Sequence, residues 1–269
     1  MGTLSRTWNL AKASWSVINH DRELLWIPVL NGLVCLGVGA LFLLPLLSMA
    51  DDEAAGAAVI VVGVVFIMVL TSISVLFQGA LVSGAHQRFT GGDPTVSSAI
   101  GGALSKAHRL IPWALLTATV GLILRVIREE AGFIGRIVSS LLDTAWQVLT
   151  FLVVPVVMFE DRGPIDGVKR SASLFKGTWG ENLAARVGFG LLGFLLMIPG
   201  ILLVVLGVAG LWPLVVVGVL WIIGVAVVMT TMNAVFQTAL YLYATEGEVP
   251  AGFGTTDVVA SFGPKTKGR

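Results

Sequence analysis

Three stretches of this chain, Leu24–Leu47, Ala57–Gly84 and Leu214–Tyr243, each run for more than twenty residues without an Asp, Glu, Lys or Arg. A helix of about 20 apolar residues crosses the hydrocarbon of a bilayer. Hydrocarbon offers no water to unpaired backbone groups, so a segment inside it must be a helix or part of a closed barrel. No polar–apolar alternation of barrel type appears, and the expectation is therefore helices. Three more runs are interrupted by one charge each: Leu110–Ile127, Ile137–Phe159 and Leu183–Gly207. Charged residues make up 12% of the chain and hydrophobic ones 56%. Soluble domains carry about 25% charged residues, so a large soluble core is excluded.

The reading is an all-α polytopic membrane protein with six transmembrane helices. The small residues Ser48-Met49-Ala50 resemble a leader cleavage site. The apolar run before them is too long for a leader's core, so it is read as a retained span.

Between the spans a second pattern recurs. Leu4, Trp8, Ala11, Trp15 and Ile18 fall at steps of four, three, four and three. Val96, Ile100, Ala103, Ala107 and Ile111 do nearly the same, as do Ile165, Val168, Ala172, Phe175 and Trp179. Each set marks one face of an amphipathic helix, with basic residues off that face. Such helices lie in the membrane interface, tryptophans at headgroup level. The unit is thus a surface helix followed by a hairpin of two spans, and it occurs three times: residues 1–90, 91–160 and 161–246. Residues 247–269 add a partial surface helix and tail. Phe77-Gln78-Gly79-Ala80-Leu81 and Phe236-Gln237-Thr238-Ala239-Leu240 match between the first and third units. All of this is expected to form one integral membrane domain.

Six spans put both termini on one side. Fourteen of the seventeen Lys and Arg fall in segments on that side; only Arg125, Arg128 and Arg136 fall on the other. The positive-inside bias then places both termini and the surface helices in the cytoplasm. The expected location is a prokaryotic cell (inner) membrane. Membrane lipids are the expected partners, with a protein partner or a homo-oligomer as open possibilities. A net charge of +1 gives no reason to expect nucleic acid.

Chemistry is sparsely signalled. Cys35 is the one cysteine, so neither an internal disulfide nor a cysteine metal site is expected. His20, His86 and His108 lack metal-ligand spacing, and Glu129-Glu130 makes a poor acid–base pair because neighbours on a helix face apart. No nucleophile elbow, HExxH or phosphate loop occurs. No enzyme, cofactor or metal site is expected.

Three groups remain as candidate sites. The densest charge lies in Phe159–Asn182, where Glu160, Asp161, Lys169, Arg170, Lys176 and Trp179 form a candidate cytoplasmic-face cluster. Glu160 is placed to pair with Lys169 or Arg170. Its bland reading is a basic helix meeting anionic headgroups, at about 1 kcal/mol per contact. The sharper one is a docking face. Asn31, Gln78, Asn233 and Gln237 fall at related depths, Asn31 roughly 10 Å in from its span's cytoplasmic end. They form a candidate intramembrane polar layer, either structural glue or the lining of a substrate path. Asp143 is the one acid clearly inside a span, and Arg125 is its expected ion-pair partner.

The residues Val154-Pro155, Phe159-Glu160-Asp161, Gly163-Pro164, Lys169-Arg170-Ser171 and Trp179-Gly180-Glu181 carry a resemblance. So do Leu24-Leu25-Trp26-x-Pro28 and Ala239-Leu240-Tyr241-x-Tyr243 through Gly252-Phe253. The chain resembles an uncharacterised family of prokaryotic multi-pass membrane proteins, one of the domain-of-unknown-function groups. Its layout is also loosely similar to membrane regions attached to some glycerophosphodiester phosphodiesterases, without their catalytic domain. The resemblance implies location and layout, not catalytic residues. Two functions are carried forward. The first is non-enzymatic organisation of lipid or a partner at the cytoplasmic face. The alternative is a small transporter or lipid-handling permease using the polar layer.

Overall fold

The computed structural model describes residues 14–15, 21–49, 56–130, 132–179 and 184–247. The surface helix expected over Leu4–Ile18, and the partial one after Gly247, lie almost wholly outside the described residues. All regular structure among the described residues is helical. A 3-10 turn, Arg22–Leu25, leads into α1 (Trp26–Ser48). Then follow α2 (Gly56–Phe89), α3 (Val96–Ser105), α4 (Ala107–Glu130), α5 (Gly132–Leu149) and α6 (Val153–Phe159). The last three are α7 (Pro164–Trp179), α8 (Ala184–Val208) and α9 (Pro213–Glu246).

Five segments are long and apolar enough to cross a membrane: Arg22–Ser48, Gly56–Phe89, Ala107–Glu130, Gly135–Phe159 and Pro213–Glu246. In α8 the stretch Leu192–Val208 is a further, shorter apolar helix. Leu36 is 71% exposed, Leu44 70%, Ile60 68% and Val208 78%. Water would penalise that surface heavily, whereas acyl chains solvate it.

The chain divides into two compact units. One comprises residues 29–84 and 95–175, the other residues 1–28, 85–94 and 176–269. In the first unit α4 and α5 form an antiparallel hairpin. The Trp113 and Trp146 rings stack at 6.1 Å, and Trp146 Nε1 donates to Thr117 Oγ1 at 3.3 Å. The span expected over Ile137–Phe159 is broken at Thr150–Leu152 into α5 and α6. Pro155 accounts for the break, because it has no N–H to continue the helical ladder back to Phe151 and its ring crowds that carbonyl. The short α6 is buried from Val153 to Met158, with Val153, Val156 and Val157 all at 0% exposure.

Helix α3 starts on a capping box, Thr95 and Ser98 exchanging side-chain and backbone hydrogen bonds. It ends at Ser105 instead of running on to Ile111, and Lys106 forms the joint to α4. Its packing is tight. A Cβ added at Gly102 would collide with Ser83 Oγ, and one at Gly79 would meet Leu110 Cδ1 at 2.7 Å.

In the second unit α8 and α9 form a hairpin held by glycines spaced seven apart. Gly193, Gly200 and Gly207 lie against Met229, Ile222 and Val215 in turn. A Cβ added at Gly218 would stand 2.7 Å from Gly200 O and 2.8 Å from Val204 N. Only glycine at both crossing points lets the backbones come this close. Trp221 Nε1 donates to Leu196 O at 2.9 Å, in the turn before Pro199. The core of this unit uses Leu24, Ile27, Ala85 and the buried run Thr231–Leu242, apart from Asn233. Arg88 Nε meets the buried Asp21 Oδ2 at 3.0 Å.

Candidate functional site

The Glu160–Asp161 turn is the most highly charged feature of the first unit. It joins α6 to α7, and Asp161 turns the chain with φ +52. That left-handed conformation is uncommon outside glycine, and Asp tolerates it better than most residues. The two adjacent acids then point to separate sets of partners.

Glu160 is the more enclosed, its side chain 16% exposed. Arg162 Nε donates to Glu160 Oε2 at 2.6 Å, and Arg170 Nε donates to Oε1 and Oε2 at 3.0 and 3.1 Å. Burial pushes the Glu160 carboxyl up, but the hydrogen bonds from Arg170 and Arg162 and their charges outweigh it, holding it below the usual carboxylate range. Asp161 faces the α3–α4 joint. Lys106 Nζ donates to Asp161 Oδ1 at 3.1 Å, with Arg109 Nε at 3.7 Å and His108 Nε2 at 3.9 Å from the same oxygen. The Lys106 hydrogen bond and charge lower its pKa, helped by Arg109 and His108. Two carboxylates thus gather four permanent cations, Lys106, Arg109, Arg162 and Arg170.

Helix α7 is seated by small residues. Gly167 packs on Val153 and Val157 of α6, Ser171 is fully buried, and Leu174 is 7% exposed. Ser171 Oγ accepts the backbone N–H of Leu152 at 3.1 Å, filling the vacancy left where α5 breaks from α6. The larger apolar residues are on the neighbouring stripe, where Ile165 is 64% exposed and Val168 half-buried. The same division holds in α3, where Ala99 and Ala103 are buried and Leu104 is 59% exposed. Helix α3 docks through Ala99 and Ala103 and α7 through Gly167, Ser171 and Leu174, while Leu104 and Ile165 stay outward.

Of the expected cluster, Glu160, Asp161 and Arg170 come together. Lys169 pairs with Asp166 at 3.6 Å rather than with Glu160, both side chains well exposed. Lys176 is exposed, and the Trp179 side chain lies outside the described residues. Sequence reasoning missed Lys106, His108, Arg109 and Arg162. The first three stand over fifty residues from Asp161, and nothing local signals the pairing.

The expected Arg125–Asp143 pair is replaced. Arg125 Nε binds Glu129 Oε1 at 2.9 Å, one turn along α4. Arg128, nearer the α4–α5 turn, reaches Asp143 Oδ2 at 3.5 Å. Among the four polar-layer residues, Asn31 accepts a long hydrogen bond from Cys35 Sγ at 3.5 Å, and Gln78 is half-buried. These two belong to the first unit. In the second, Gln237 is 4% exposed while Asn233 is exposed.

The chain is thus an all-helical protein whose long apolar helices suit a membrane, with an ionic turn beside two short helices. Residues 54–253 match the Family of unknown function (DUF6159), and the chain belongs to that family. No curated protein and no solved structure matches it.

Proposed function

We propose that the chain is a six-span protein of a prokaryotic inner membrane, with three hairpins and both termini in the cytoplasm. In this reading α8 is the sixth span, and α3 and α7 are amphipathic helices of the cytoplasmic interface. The protein is not an enzyme. It organises anionic lipid or a protein partner at that face through the Glu160–Asp161 turn.

The observation that supports this reading is the pairing of charge with exposed oil. Four cations surround two acids, and beside them Leu104 and Ile165 are 59% and 64% exposed. Exposed apolar side chains next to surplus cations match the acyl region and headgroups of an anionic leaflet.

The test is extraction of the full chain in native lipid discs, followed by identification of retained lipids and proteins. Enrichment of anionic lipid or of one protein is expected, and it should fall when Lys106, Arg109 and Arg162 are changed to Gln. Equal retention by the triple variant would remove the cluster from the function. Solute flux across vesicles containing the pure protein would instead establish a transporter.

A further inference from the structure

The two acids of the Glu160–Asp161 turn are not equally well matched. Glu160 offers both oxygens and receives hydrogen bonds at 2.6, 3.0 and 3.1 Å. Asp161 draws three basic groups onto one oxygen and receives one hydrogen bond, from Lys106 at 3.1 Å. Arg109 Nε at 3.7 Å and His108 Nε2 at 3.9 Å are both beyond hydrogen-bond range. Arg109 Nε is buried and has no hydrogen-bond partner among the described residues. A buried donor without an acceptor is costly, and more so on a charged group. One carboxylate oxygen, as placed, cannot satisfy all three donors. A phosphate carries several strong acceptor oxygens on a tetrahedral centre and can meet donors spread this way.

The surroundings select what carries the phosphate. Lys106 is the joint before α4, and the segment Ala107–Glu130 is of spanning length and hydropathy. His108, Ile111 and Leu115 follow at steps of three and four, on one face of α4, and all three are exposed. An under-matched basic set at one end of an outward apolar stripe is complementary to an anionic headgroup joined to acyl chains. A free phosphate would leave the stripe uncovered, and an acidic protein segment would bring the anion without the hydrocarbon.

We propose that the α3–α4 joint is the site of one anionic phospholipid, its phosphate held by Lys106, His108 and Arg109 and its acyl chains running along Ile111 and Leu115. Asp161 is the resident anion of this site. It keeps the basic groups gathered and yields Lys106 and Arg109 when the headgroup arrives. Glu160, with Arg162 and Arg170, is already satisfied and stays closed. The proposal rests on the reading that this face meets an anionic leaflet, and it narrows the contact from the whole turn to its Asp161 side.

The test is native mass spectrometry of the purified full chain in detergent, titrated with phosphatidylglycerol. One lipid should bind first, apart from later and weaker additions. Arg109→Gln and Lys106→Gln should each weaken that first addition by about tenfold, the scale of a hydrogen bond to a charged group. Lys169→Gln, whose side chain is exposed and paired with Asp166, should leave it unchanged. Asp161→Asn keeps a residue type that accepts the left-handed backbone and removes the competing anion, so it should tighten the first addition by about threefold. Misfolding cannot tighten binding, so this variant decides the matter if Arg109→Gln folds poorly. Weaker binding by Asp161→Asn would overturn the proposal, as would equal losses in Arg109→Gln and Lys169→Gln; either would leave a diffuse attraction for anionic lipid at this face. Glycerol phosphate that binds as tightly as the lipid would overturn it too, by making the ligand a free phosphate compound. Phosphatidylcholine that binds as well as phosphatidylglycerol would remove the anionic-lipid reading itself, and this site with it.

Discussion

Ser171 and Glu160 show how much single polar groups decide in a chain this apolar. The Ser171 hydroxyl is fully buried and accepts the Leu152 N–H, which the broken span leaves without a helical partner. Removing it strands a buried donor. Ser171→Ala is therefore expected to destabilise the protein by about 1–3 kcal/mol, read as a lower unfolding midpoint in detergent. Ser173→Ala, on the exposed side of the same helix, should change little. The acids act through pH. The pKa values of Glu160 and Asp161 are lowered in the fold. Their contribution is thus fully present above the ordinary carboxylate range and is lost as pH falls through their lowered values. Thermal midpoints measured on the way down from about pH 6 should drop over that acid window, and Glu160→Gln should flatten the drop. Of these residues, Glu160 and Arg170 were legible in the sequence because they lie ten apart on adjoining elements. Lys106 and Arg109 were not, because only the fold brings residues over fifty apart onto Asp161.

Close packing of backbones governs the elements. The seven-residue spacing of Gly193, Gly200 and Gly207 is written in the sequence, but its meaning depends on what faces it. Gly37, equally helical, has nothing within 4 Å of an added Cβ. Gly218→Ala should therefore cost about 1–3 kcal/mol through overpacking against Gly200 O and Val204 N. Gly37→Ala should be neutral or stabilising by up to about 1 kcal/mol, since alanine is the better helix former. Parallel unfolding of both variants checks this, and equal losses would count against the close α8–α9 crossing. The surface helices carry a related lesson. Their apolar periodicity picks out Val96, Ile100 and Ala103 and Ile165 and Val168, of which only Ala103 is on a docked side, with Ala99 in α3 and with Gly167, Ser171 and Leu174 seating α7. Leu104 and Ile165 stay exposed, while Ala99, Ala103, Gly167 and Ser171, with Leu174, seat the two helices. In lipid, hydrophobicity does not separate inside from outside, so packing falls to small side chains.

For the whole molecule the decisive measurement is sidedness. Ser173 is exposed on α7. In intact cells and inverted vesicles, Ser173→Cys in a Cys35→Ala background should react with an impermeant thiol reagent only from the cytoplasmic side. Reaction from outside would reverse the arrangement drawn from the positive-inside bias. If α8 does not cross, the span number is odd and residues flanking it, such as Lys176→Cys and Ala209→Cys, label from the same side. With α8 a span, those two label from opposite sides.

That the chain is helical with several long apolar helices, and the charge bias between segments, follow from the sequence alone; six runs read as spans, and five described segments are long and apolar enough to cross. These features rest on local properties, namely run length, hydropathy and the need of every backbone group for a partner in lipid. Tertiary structure decided the rest. It gave Asp161 its cations from the α3–α4 joint, exchanged Arg125 for Arg128 beside Asp143, and turned the small-residue sides of α3 and α7 inward. Those outcomes depend on which helices cross and at what height. Hydrophobicity cannot specify that where the surroundings are as apolar as the interior, so polar pairs and glycine contacts specify it instead.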